Sequence, residues 1–194
     1  MHPNDLPLSR SQRLKARTTA THQQLDDGIM ASAPFSSKEN YARFLQAQYS
    51  FLRDVDALYE HAGLAALLPQ LDERRRYAAI AADLDDLGAA LPADGPEAPL
   101  DINVDLATAL GWLYVTEGSK LGGTILYKLA GKLGLDGRFG ARHLAAHPDG
   151  AAQHWRQFTA ALDSVSLDAE QEARVVAGAE AAFMRMHGHV GRTL

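Results

Sequence analysis

From Ser9 to Met186 the apolar residues recur three and four positions apart, glycine and proline interrupt them sparsely, and no Asn-Gly hairpin signal occurs. That spacing gives one-sided helices, so the expected fold is all-α, a bundle of several helices. A first helix is expected from Ser9 to about Asp27, with Leu14, Thr18, His22, Leu25 and Ile29 on one stripe and Gly28 as its stop. Ser36 with Glu39 reads as the capping box of a second helix, whose Tyr41, Phe44, Leu45, Tyr49, Leu52, Val55 and Tyr59 share a side. A third begins near Asp72 and carries Tyr77, Ile80, Leu84 and Leu87, and the breaker-rich segment from Pro92 to Pro99 is a loop. Asp105 caps a fourth helix running to about Leu133. After a turn at Gly134 to Gly140 comes a short helix with Trp155, Phe158 and Leu162, and Asp168 with Gln171 caps a last one reaching Met186. Without repeats or heptads, residues 1–194 read as one domain, with 1–8 and 188–194 as flexible ends.

The balance of 24 acidic against 19 basic side chains leaves a charge of −5, which excludes the basic face that a nucleic-acid binder needs. The longest uncharged apolar stretch, Leu106 to Thr116, is well short of the ~20 residues of a membrane-spanning helix. MHPNDLPLSR holds no apolar signal segment, so a soluble, unexported, cytoplasmic protein is expected. The absence of cysteine removes disulfides, thiolate metal sites and cysteine nucleophiles together. Any metal or haem must be held by His, Asp, Glu, Tyr or Met.

Two features of the expected helices are out of place. Gly118, Gly122 and Gly123 sit inside the fourth helix, where each glycine costs ~0.8–1 kcal/mol relative to alanine. Gly118 and Gly122 stack on one face with Tyr114 one turn earlier, and such a bare face admits either a flat ligand or another helix backbone. The second is His22, on the apolar stripe of the first helix: a satisfied core histidine or a metal ligand. Asp26 lies one turn on, within reach of a ring nitrogen. Lys15 lies two turns back, ~10 Å along the axis, about the separation of iron and propionate in haem.

These residues resemble the heme oxygenase family, in its short bacterial branch associated with iron acquisition or phytochromes. Leu14-Lys15-Ala16-Arg17-Thr18-Thr19-Ala20-Thr21-His22 is similar to that family's proximal helix. Gly111-Trp112-Leu113-Tyr114-Val115-Thr116-Glu117-Gly118-Ser119-Lys120-Leu121-Gly122-Gly123 is similar to its distal helix, and the segment Gly137 to Leu144 resembles bacterial iron-acquisition members. The resemblance implies a bundle holding haem between a proximal and a glycine-kinked distal helix, and cleavage of haem to biliverdin, carbon monoxide and ferrous iron. Haem is then cofactor and substrate, dioxygen the oxidant, and a ferredoxin- or flavodoxin-type protein or another reductase the electron source.

By position, the resemblance implies that His22 ligates the haem iron and that Gly118, Ser119 and Gly122 form the catalytic distal face. It implies haem contacts for Lys15, Tyr114, Gly118, Gly122 and Gly123 as well, with Lys15 and Tyr114 at the propionates, a pattern associated with cleavage at the α position. Lys128 is an alternative anchor. Ser119 departs from the aspartate of animal members. A neutral histidine lacks the strong electron push of a thiolate, and the fourth helix carries no histidine that could face bound oxygen.

The remaining signals read as ordinary. His187 and His189 read as a frayed tail, the run Arg74-Arg75-Arg76 as a solvated face or a docking patch for an acidic electron donor, and His143, His147 and His154 as capping or surface residues. Met30 and Phe183 fit either a pocket or the core. A monomer is expected, since no spare apolar stripe is evident. The competing reading is a haem carrier that does not turn haem over. A di-iron protein would need Glu-x-x-His motifs, which are absent, and a thiaminase-like enzyme would need a cysteine.

Overall fold

The computed structural model describes residues 8–68 and 70–194. The expected flexible N-terminus therefore lies, apart from Leu8, outside the described residues. Among the described residues seven α-helices follow one another: α1 Arg10–Ala31, α2 Lys38–Val55, α3 Ala62–Leu67, α4 Tyr77–Asp86, α5 Leu106–Gly131, α6 Ala151–Ser164 and α7 Ala169–Thr193. Three 3-10 turns (Asp56–Glu60, Asp72–Arg74 and Arg142–Leu144) join them, and among the described residues there is no β-strand, only isolated bridges from Asp136 to Phe139 and Gly140. No described helix is long and apolar enough to cross a membrane.

Local chemistry sets most ends where the sequence puts them. Asp105 accepts from the Thr108 N–H to cap α5, and Asp168 and Gln171 form the reciprocal capping box of α7. Ser9 and Gln12 make the same box at the start of α1. Three expectations fail by a turn or less. Gly28 does not stop α1, because the helix keeps its ladder to Ala31. The cap of α2 is Ser37, which accepts from Asn40, and not Ser36 with Glu39. Beyond Val55 that helix tightens into a 3-10 turn, and α3 was not foreseen.

The largest correction is at the C-terminus. The segment read as a frayed tail is the last part of α7, and His189 is buried. Its Nδ1 accepts from Arg192 at 2.9 Å, so its protonated Nε2 donates to Asp54 at 2.8 Å. Arg185 donates to the same carboxylate at 2.8 Å and also pairs with Glu97, tying the loop before α5 to α2 and α7. Burial alone would raise the Asp54 carboxyl, but the His189 and Arg185 contacts hold it below the usual range. At the other end of α7, Glu172 binds Arg10 and Arg13 of α1.

Helices α5 and α7 cross with their backbones in contact. A Cβ on Gly111 would lie 2.1 Å from the Val175 carbonyl oxygen, and one on Gly178 would lie 2.6 Å from that of Thr108. Small-residue packing between helices thus occurs at Gly111 and Gly178, the former about two turns before the glycine cluster on α5. One core cluster surrounds this crossing, with Leu14, Phe51, Leu110, Leu113, Phe158 and Phe183. A second, with Tyr41, Phe44, Ile80 and Leu84, holds α2, α4 and the end of α5 together.

Candidate active site

Between α1 and α5 the helices part around a cavity of about 730 Å³, within the ~300–1,000 Å³ range of small-molecule pockets. Lys15, Thr18 and His22 line it from α1, and Tyr114, Gly118, Ser119, Gly122 and Gly123 from α5, with Met30 and Phe183 also in its wall. Of the residues that the resemblance places at the haem, Lys128 alone does not line it; its side chain is exposed on α5.

The glycines face space. A Cβ on Gly122 would meet nothing within 4 Å, and one on Gly118 would touch only the Trp155 indole at 3.6 Å, an ordinary contact. No neighbouring backbone requires these two positions to be bare, in contrast to Gly111. Gly123 turns away, toward the Leu144 carbonyl at 3.6 Å. Helix α5 is continuous from Leu106 to Gly131, so the cluster thins one face of the helix without ending it.

His22 projects from α1 with 55% of its side chain exposed. It is not the satisfied core histidine that the stripe also allowed. Its ring lies 5.8 Å from that of Phe183, and Nε2 is 3.5 Å from an Asp26 carboxylate oxygen, too long for a firm hydrogen bond. Tyr114 is buried against Trp155 at 5.5 Å between rings; burial raises its hydroxyl pKa and the nearby Thr18 hydroxyl opposes the rise. Ser119 donates its hydroxyl to the Thr116 carbonyl at 2.7 Å, which leaves only oxygen lone pairs for the cavity.

Several cavity residues were read as surface and are not. His143 is buried, with Nδ1 2.7 Å from Asp83 and Nε2 2.9 Å from the Gln48 amide. Burial would raise Asp83, but His143 and the N–H groups of His143 and Arg142 hold its pKa below the usual carboxylate range, while burial lowers that of His143 against the pull of that carboxylate. His154 is buried too, stacked on His147 at 4.3 Å between rings, and is pushed down to about 4 by burial and then by Arg74. The arginine run is split. Arg75 pairs at the surface with Asp56 and Glu60, Arg76 lines the cavity, and Arg74 is buried with Glu117 at 2.8 Å.

The arrangement has two unlike walls: an accessible imidazole on one helix, and a bare helix face ringed by ordered polar groups on the other. The first can ligate a metal, and the second leaves room for a flat ligand. Residues 8–190 match the family model described as heme oxygenase. The chain belongs to the heme oxygenase family. Within it, the heme oxygenase PigA of Pseudomonas aeruginosa is 46% identical over 184 residues, 95% of this chain and 92% of that protein. The heme oxygenase of Neisseria meningitidis, solved with NO and CO bound, aligns with a TM-score of 0.90 at 42% identity, covering 96% of this chain and 92% of that one. Heme oxygenase 2 of Chlamydomonas reinhardtii shares the fold, with a TM-score of 0.81 at 17% identity over 96% and 98% of the two chains.

Sequence reasoning missed Gln48, the Asp83–His143 pair, and the charges behind α5 in this heme oxygenase-family chain. For the last a signal existed. Glu117 and Lys120, three residues apart, are with Lys128 the only charged residues of an otherwise apolar helix, and a charge pair at that spacing inside a buried stretch needs a partner. Nothing local marks Gln48 or Asp83, whose partners lie 95 and 60 residues away.

Proposed function

We propose that this protein is a heme oxygenase, acting as one domain to convert haem to biliverdin, carbon monoxide and ferrous iron with dioxygen and externally supplied electrons. The observation that carries the reading is the cavity between His22 and the face of Gly118 and Gly122, in a chain of this family. Bound haem supplies the iron that takes up dioxygen and the ring that is opened, so the protein's part is binding, orientation and control of protons.

His22 would hold the haem iron, with the Asp26 carboxylate one turn on, 3.5 Å from the ring, placed to orient it. Gly118 and Gly122 would let a flat ring lie against α5, and Gly123 seats that helix on the Leu144 backbone. Lys15 and Tyr114, both in the cavity wall, would hold the propionates by charge-assisted and hydroxyl hydrogen bonds. With Lys128 outside the cavity, this pair fixes ring rotation and favours opening at the α position. Ser119, its own hydrogen committed to Thr116, accepts rather than donates toward the distal side. Gln48, whose amide lies 2.9 Å from His143 Nε2 with Asp83 on the other ring nitrogen, presents a fixed amide to the same wall and orders protons there. The electron donor is a ferredoxin- or flavodoxin-type protein or another reductase, and the enzyme works as a monomer.

Adding one equivalent of hemin to the purified protein, then ascorbate or a reductase system in air, tests the proposal. Loss of the Soret band with growth of the broad red absorption of biliverdin is expected. A Soret band that persists under reducing, aerobic conditions means a carrier, and no Soret shift on adding hemin excludes haem.

A further inference from the structure

Beside Gly118 and Ser119 the cavity wall carries a cluster of charges. Glu117, 3% exposed, accepts from Arg74 at 2.8 Å and from Lys120 at 2.5 Å, and the Tyr59 hydroxyl donates to it at 3.4 Å. Lys120 also donates to the Arg74 carbonyl at 2.6 Å, and Arg74 to the His154 carbonyl at 3.2 Å, so the cluster joins the turn before α4 to α5 and α6. Arg76, beside it in the cavity wall, donates only to the Ala145 carbonyl at 3.3 Å and has no carboxylate partner among the described residues. Arg74 and Lys120 thus share one carboxylate and Arg76 has none, so three cations stand beside a single negative charge.

Other charges nearby do not cancel them. Asp83 is committed to Arg142 and His143, and Glu73, about half exposed, approaches only His147, at 3.7 Å. The imidazoles of His147 and His154 face the cluster, and His154 is held neutral by its burial and by the cations Arg74 and Lys120. Burying ions is expensive, and apolar residues of the same size would pack such a site at least as well. Here Glu117 and Lys120 flank Gly118 and Ser119 on α5, and Glu117, Lys120 and Arg76 line the same cavity as those residues.

We propose that Lys120, Arg74 and Arg76, organised by Glu117, form a preorganised positive field that stabilises negative charge on the distal face of the bound haem. The inference rests on the heme oxygenase reading and adds positioning residues to it. The field needs no contact with the ligand. A unit charge about 10 Å away through a protein wall changes the affinity of an anion about three- to tenfold. Because the charges are fixed by Glu117, the Arg74 carbonyl and the Ala145 carbonyl, they need not reorganise when charge builds up.

The test compares an anionic and a neutral distal ligand. The hemin complexes of the wild type and of Lys120→Gln, Arg76→Gln and Glu117→Gln are titrated in the ferric state with azide and, separately, with imidazole, at pH 7 and constant ionic strength. Azide affinity is expected to fall about three- to tenfold in Lys120→Gln and in Arg76→Gln and to rise in Glu117→Gln, with imidazole affinity unchanged throughout. Azide affinities equal to wild type, changes of one sign in all three variants, or imidazole following azide would each overturn the inference. A merely structural role moves both ligands together. Should Glu117→Gln not fold, the two cation variants decide the matter by the azide-to-imidazole ratio. A wild-type chain that forms no hemin complex overturns the functional reading and this inference with it; an intact complex with an unmoved ratio overturns this inference alone.

Discussion

Replacing Gly122 with alanine separates the two meanings that a glycine in the middle of a helix can have. In the free protein the added methyl meets no atom within 4 Å, so it costs no packing energy. It removes the conformational freedom that glycine gives the unfolded chain and restores helix propensity, together ~0.8–1 kcal/mol in favour of folding. For a chain of this length that raises the melting temperature by roughly 2–4 °C. The same methyl stands on the face against which haem would lie, where overfilling costs ~1–3 kcal/mol. Gly122→Ala should therefore be more stable than wild type without haem, and poorer in haem turnover. Urea or thermal unfolding of the haem-free protein by circular dichroism measures the first, and single-turnover absorption spectra the second. A haem-free variant destabilised by ~1 kcal/mol or more would show that Gly122 is needed for helix packing. A stabilised variant with wild-type haem binding and turnover would show that the bare face has no role.

Other expectations follow from the same geometry. Gly111→Ala should lose ~2–4 kcal/mol by urea unfolding, because the new methyl meets the α7 backbone at 2.1 and 2.7 Å and neither helix can yield alone; a neutral change would refute the close crossing. Stability should fall as pH drops from about 6.5 toward about 4, since the unfolded chain protonates its His154 near the normal value while the folded chain resists until about 4; the loss is on the order of 2–3 kcal/mol, and His154→Leu should flatten that limb. At lower pH the lowered carboxyls of Asp54, Asp83 and Glu172 add their own loss, because their contribution is present above the unfolded value and vanishes as they protonate. Asp54→Ala strands Arg185 and His189 in a buried site, and should cost ~3 kcal/mol and quicken proteolysis of the loop at residues 92–99; an unchanged digestion pattern would refute its role as a latch.

What could be read in advance follows the range of the interactions. Helix starts at Ser9, Asp105 and Asp168 were legible because a cap is a contact over three residues. The cavity-lining stretch of α5 was legible because glycine violates a local rule there, and His22 because an imidazole interrupts an apolar stripe. Helix ends were harder to place, since Gly28 and the segment after Met186 differ from true stops only in what packs against them. His189, His143 and Arg74 were misread for one reason: each is buried by a carboxylate distant in the chain, Asp54, Asp83 and Glu117 respectively. Nor does sequence spacing separate Gly111, which must be bare to let α7 pass, from Gly122, which faces open space.

The most direct test of the site is the His22→Ala variant loaded with hemin, with its ferric spectrum and single-turnover biliverdin yield measured with and without free imidazole. If His22 on α1 holds the iron opposite the bare face of α5, the variant loses the histidine-ligated spectrum and its biliverdin yield, and added imidazole restores the spectrum. A variant with the wild-type spectrum and the wild-type yield in the absence of imidazole would contradict the account, and place the iron on some other residue of the cavity.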